Sequence, residues 1–98
     1  VAKVSIRFAA AAVRALEEIL AWYRGEAVPE IGRRLVSEVM ARIEALPDHP
    51  DMGRTVPEFN QPELRELIQP PFRIVYKPEP ARVRIVRVWC SEGLLRLG

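Results

Sequence analysis

The chain has 98 residues, enough for one domain with a modest core. It is 49% hydrophobic and 29% charged, the balance of a globular protein, and no apolar run approaches the length of a membrane span. A single cysteine, Cys90, rules out an internal disulfide framework, and a net charge of +2 is too small to point to nucleic acid by itself.

The distribution of charge is more informative. Residues 1–62 carry 8 Lys and Arg against 9 Asp and Glu, whereas residues 63–98 carry 7 against 4. The later portion is the basic one, and an acidic partner fits there. The lone thiol suits a reducing cytoplasm, which is the expected localisation.

Val4, Ile6 and Phe8 alternate with Lys3, Ser5 and Arg7, the pattern of a half-buried strand and not of a signal peptide. The alanine run at 9–12 opens a helix. Its apolar stripe is Val13, Leu16, Ile19, Leu20 and Tyr23, and Gly25 is its stop signal. Pro29 and Glu30 suit the first turn of a second helix. Ile31, Leu35, Val39, Ile43 and Leu46 form its stripe, widened by Val36 and Met40, and Pro47 ends it. A short link makes the pair an αα-hairpin.

Residues 47–62 hold four prolines and one glycine, a loop of restricted backbone freedom. Met52, Val56 and Phe59 are expected to pin it to the domain. A loop this long is uncommon without a task.

Three runs rich in β-branched and aromatic residues follow, at 64–68, 72–77 and 82–89, separated by proline-bearing breaks. They read as an antiparallel meander. In the first, Leu64, Glu66 and Ile68 share one face and Arg65 and Leu67 the other. In the second, Phe72, Ile74 and Tyr76 oppose Arg73, Val75 and Lys77. In the third, Ile85 and Val86 are both apolar, so this strand is expected to be central and covered on both faces. Residues 91–97 form a short end segment.

The chain therefore predicts one α+β domain over residues 1–98, in the order β-α-α-β-β-β. An αα-hairpin packs on one face of an antiparallel meander joined by the N-terminal strand. Val4, Ile6, Phe8, Phe72, Ile74 and Tyr76 then lie under the helices. Lys3, Ser5, Arg7, Arg65, Arg73 and Lys77 fall on the helix-free face. A solvated sheet face is ordinarily polar, but this set holds five basic residues and no acidic one, which marks it as a candidate face for a target or partner.

Other chemistry is sparse. His49 and Cys90 make no zinc motif, and their use as a nucleophilic pair lacks a local signature. Asp48 and Asp51 beside His49 read as turn residues, and no Gly-rich phosphate loop is present. Trp22 and Trp89 read as core or partner-contact residues. No metal or cofactor is expected. Cutting RNA through its 2′-hydroxyl requires a proton acceptor and donor, and the sequence offers no convincing pair.

Leu46-Pro47, Gly53-Arg54-Thr55-Val56-Pro57-Glu58, Leu64-Arg65-Glu66-Leu67, Phe72-Arg73-Ile74-Val75-Tyr76-Lys77 and Val83-Arg84-Ile85-Val86-Arg87-Val88-Trp89 appear in one order. Together they resemble the RelE/ParE toxin superfamily of bacterial type II toxin–antitoxin modules, often labelled plasmid stabilisation proteins. The Gly-Arg-x-Val-Pro-Glu loop with Leu-Arg-Glu-Leu looks closer to the ParE branch. The resemblance implies the fold just described and a cognate antitoxin in a hetero-oligomer. It also implies a target: DNA gyrase for ParE-like members, or mRNA in the ribosome for RelE-like endonucleases. Arg73 matches an arginine that those nucleases use at the scissile phosphate, and Arg65 lies near another of their basic positions. They carry further basic residues, and often a tyrosine or histidine, after the last strand. This chain has Cys90, Ser91 and Gly93 there, then Leu94-Leu95-Arg96-Leu97-Gly98. The departure favours a gyrase inhibitor that is not an enzyme. It also marks Cys90 and Gly93 as positions where toxicity is attenuated, leaving as a further alternative a protein that only binds its antitoxin.

Overall fold

Period-2 and period-3.6 apolar patterns each find their element. The structure, a computed structural model, describes residues 4–90. They form β1 (Ser5–Phe8), α1 (Ala10–Gly25), α2 (Pro29–Glu44), β2 (Arg54–Thr55), β3 (Arg65–Gln69), β4 (Phe72–Pro78) and β5 (Arg82–Cys90). This is the expected α+β order with one short strand, β2, added from the proline-rich loop. Sheet order is β1-β5-β4-β3-β2. Strands β2 to β5 pair antiparallel, while β1 lies parallel to β5 at the far side. Lys3, Gly93 and the end segment 91–97 lie outside the described residues.

The helices bury smaller residues than their stripes suggest. Ala12, Ala15 and Ile19 form the buried seam of α1, whereas Val13 is 41% exposed. Alanines at the seam let the helix lie close on β5. On α2, Gly32 faces α1 so tightly that a Cβ there would sit 2.9 Å from Tyr23 Cβ. This close approach leaves Ile31, expected in the stripe, turned outward.

The link between the helices is a Schellman turn. The Val28 N–H donates to Tyr23 O at 3.0 Å, and the Ala27 N–H to Arg24 O at 3.1 Å. The left-handed position falls on Ala27, with φ 63°, and Gly25 remains inside the helix.

The main core joins Ala12, Ile19, Val39, Ile43 and Leu46 to Phe72, Ile74, Tyr76, Val83 and Ile85 of the sheet. A second, smaller cluster occupies the helix-free face: Val56, Leu64 and Val75, with Phe59, Val86 and Trp89 packed around them. Val56 and Phe59 thus pin the loop as expected, but Met52 is 44% exposed and does not. The doublet Ile85 and Val86 has a local cause. Val75 pairs Arg87 while Tyr76 pairs Ile85, so Val86 is the extra residue of a β-bulge. Ile85 enters the main core and Val86 the second cluster, which covers an interior strand on both sides.

Candidate functional site

Strand register decides which charges meet. Arg65 pairs Tyr76, Glu66 pairs Val75, Leu67 pairs Ile74 and Ile68 pairs Arg73. Directly paired residues share a face. Glu66 therefore stands beside Arg73 on the helix-free face, and Arg65 lies on the helix side with Tyr76. The expectation for Arg65 is corrected, and so is that of a face without acidic residues. One residue of register reverses every side chain of a strand. Arg65 instead caps the loop: its Nη1 donates to Gly53 O at 2.7 Å, and its Nε lies 3.8 Å from Asp51 Oδ1.

Glu66 is 1% exposed and holds the centre of this face. Arg73 Nε donates to its Oε1 at 2.8 Å and Arg54 Nε to its Oε2 at 2.7 Å. Both terminal nitrogens of Arg73 are also engaged. Nη1 and Nη2 donate to the two oxygens of Glu58 at 2.7 and 2.6 Å, a bidentate pair from the loop. These bonds hold the Glu58 carboxyl at about 2, below its ordinary 4.5. The same pair, led by the Glu58 hydrogen bonds, pushes Arg73 further up.

Trp89 lies alongside. The Arg73 and Arg87 guanidinium carbons sit 5.3 and 5.5 Å from its ring centroid, and the Phe59 ring 5.8 Å away. Its Nε1 is buried and has no hydrogen-bond partner among the described residues. A cleft of about 290 Å³ opens between α1 and β5, lined by Ala11, Arg14, Glu18, Arg87, Val88 and Trp89.

Tyr76, placed under the helices by its alternation, is a strut for the loop. Its hydroxyl accepts the Gly53 N–H at 2.9 Å and donates to Pro50 O at 2.8 Å, and burial pushes the phenol above its ordinary value. A Cβ at Gly53 would meet Glu66 O at 2.6 Å and the Tyr76 hydroxyl at 2.7 Å, so no other residue fits.

His49 is exposed on the loop, and among the described residues no group of His, Cys, Asp and Glu is arranged to hold a metal ion. Cys90 pairs Phe72 at the end of β5 and packs half-buried against the main core. No described helix is long and apolar enough to cross a membrane.

The family described as "ParE toxin of type II toxin-antitoxin system, parDE" matches residues 6–94. The chain belongs to the ParE toxin family. Among solved structures, the chromosomal ParDE toxin–antitoxin system from P. aeruginosa is similar, with a TM-score of 0.75 at 20% identity over 90% of this chain and 96% of that one. The YoeB dimer from Staphylococcus aureus has a TM-score of 0.62 at 14% identity, over 91% and 95%. At these identities the likeness is one of fold. No curated protein sequence matches the chain.

In this ParE-family chain the expected basic face separates into parts. Arg73 is neutralised by Glu58 and Glu66, and Arg65 caps the loop on the other side. Arg7 and Lys77 stay on the helix-free face, each opposite Arg84 in register. Glu58, Glu66, Arg54 and Trp89 were not among the expected site residues. The signal for Glu66 was a carboxylate in a strand with Leu64, Leu67 and Ile68, which demands a cation beside it once buried.

Proposed function

We propose that this ParE-family chain is the toxin of a type II module that poisons DNA gyrase by binding it, without catalysis, and that a cognate antitoxin neutralises it in a cytoplasmic hetero-oligomer. The family supports the toxin role. The likeness to a ParDE toxin–antitoxin system supports the antitoxin. The observation that carries the step to a non-enzymatic inhibitor is the state of Arg73. A phosphate clamp needs free guanidinium donors, and here Nε serves Glu66 while Nη1 and Nη2 serve Glu58. Breaking those pairs to seat a scissile phosphate would leave a buried Glu66 undercompensated.

The test is a supercoiling reaction with purified gyrase. The chain is expected to inhibit supercoiling and to accumulate cleaved DNA held by the enzyme; unaffected gyrase at high toxin concentration overturns the reading. Primer extension on translated messages checks the nuclease alternative, for which codon-positioned cuts are required. Attenuation is tested separately by Cys90→Arg with Gly93→Arg. An arginine stem at 90 can lie along the core edge and carry its head to water. The double variant is expected to arrest growth more strongly on induction, and unchanged toxicity removes attenuation from the account.

A further inference from the structure

Across three neighbouring strands, the register sets like charges side by side. Arg7 of β1 is opposite Arg84 of β5, and Arg84 is opposite Lys77 of β4. Ile6, Phe8, Val83 and Ile85 enter the main core, so this row projects from the helix-free face. Arg82 projects on the same side, one pair along and opposite Ser5. Directly opposed like charges destabilise a sheet. The one carboxylate among these residues, Glu79, is shared loosely: it lies 3.8 Å from Lys77, 3.6 Å from Arg82 and 3.8 Å from Arg84. Four cations against one carboxylate leave this corner strongly positive, unlike the Arg73 end, where Glu58 and Glu66 pair with Arg73 and Arg54.

We infer that the Arg7–Arg84–Lys77 row, with Arg82 beside it, is a contact surface for the phosphate backbone of duplex DNA. Neighbouring strands lie about 4.8 Å apart, so the three heads span roughly 10 Å, a reach that covers two or three backbone phosphates. The composition of the row favours nucleic acid over an acidic protein. Protein partners are anchored by aromatic and large aliphatic side chains in pockets as well as by arginine. The turn beside the row offers Pro78, Pro80 and Ala81 as its apolar residues, Ser5, Glu79 and Arg82 are the polar neighbours, and Val75 and Val86 are packed into the second cluster on the other side. A phosphate backbone needs only placed cations, and the contact would carry no base preference. The inference goes beyond the toxin reading, and its test contains no gyrase.

The experiment is fluorescence anisotropy of a labelled 20-base-pair duplex titrated with purified toxin between about 50 and 200 mM salt. Three phosphate contacts predict about a 40-fold loss of affinity across that range, and two predict about 12-fold. Duplexes of unrelated sequence are expected to bind alike. Arg84→Gln should weaken binding to all of them and flatten the salt slope by about 1. It should also raise the thermal midpoint, because it relieves two opposed charges, so a folding failure would not explain the loss. Arg34→Gln, which removes one charge from α2, should leave binding near wild type. Glu79→Gln should strengthen it. No binding at 50 mM salt, equal effects of the Arg84 and Arg34 variants, or displacement of the DNA by an oligoglutamate peptide of equal charge would each overturn the inference. The last of these would mark the row as an acidic-protein site.

Discussion

Glu66 accepts from Arg54 and Arg73 while almost wholly out of solvent. A buried carboxylate persists only when paired, and removing one partner of such a pair is costly. Arg73→Ala should lose about 3 kcal/mol in urea unfolding, since it strands Glu66 and frees Glu58 together. Arg54→Ala should lose under about 1 kcal/mol, because the Arg54 side chain is 62% exposed. Glu58 supplies a pH signature. Its folded carboxyl is depressed, so its contribution is present above 4.5 and fades as pH falls toward about 2. Across that window the difference in urea midpoint between wild type and Glu58→Gln should shrink; a constant difference would show that the pair contributes nothing to folding. Alternation placed Arg73 on the helix-free face, and that much was legible in the sequence. Its partners were not. Glu58 arrives from a loop, and the offset that puts Glu66 beside Arg73 belongs to the pairing of two strands, which neither strand's pattern contains.

Among the elements, the helices and the meander were legible because each carries its own period. What the period missed was rotation. The α1 seam runs through Ala12 and Ala15 because small side chains allow the helix to sit low on β5, so the larger Val13 is left outside. The stop of α1 was read at Gly25, yet the hydrogen bonds place the left-handed residue at Ala27. An L-residue there costs about 1 kcal/mol relative to glycine. Ala27→Gly should therefore raise stability by about that amount, measured by thermal or urea unfolding; a loss would mean that unfolded-chain entropy outweighs the local strain. The loop was legible as stiff and purposeful, but its fastening to the Tyr76 hydroxyl was not, because Tyr76 reads as an ordinary core residue. Tyr76→Phe strips a partner from the Gly53 N–H and from Pro50 O, and should cost about 1–3 kcal/mol.

Over the whole molecule, the helix-free face is two surfaces. At the β3–β4 end, loop 56–64 and the Glu66 cluster close it with apolar contacts and paired charges. At the β1–β5 end, Arg7, Arg84, Lys77 and Arg82 remain open around one carboxylate. The arginine that resemblance marks for RNA cleavage lies in the closed part, held by Glu58 and Glu66, while four cations share one carboxylate in the open part. This division underlies the reading of the chain as a toxin that acts by binding. The most direct measurement is made in cells after induction without antitoxin, by recovering plasmid DNA with covalently attached gyrase and mapping the ends of translated messages in the same lysate. Gyrase–DNA cleavage complexes that rise with induction, alongside intact messages, are expected. Codon-positioned message ends without trapped gyrase would contradict that reading.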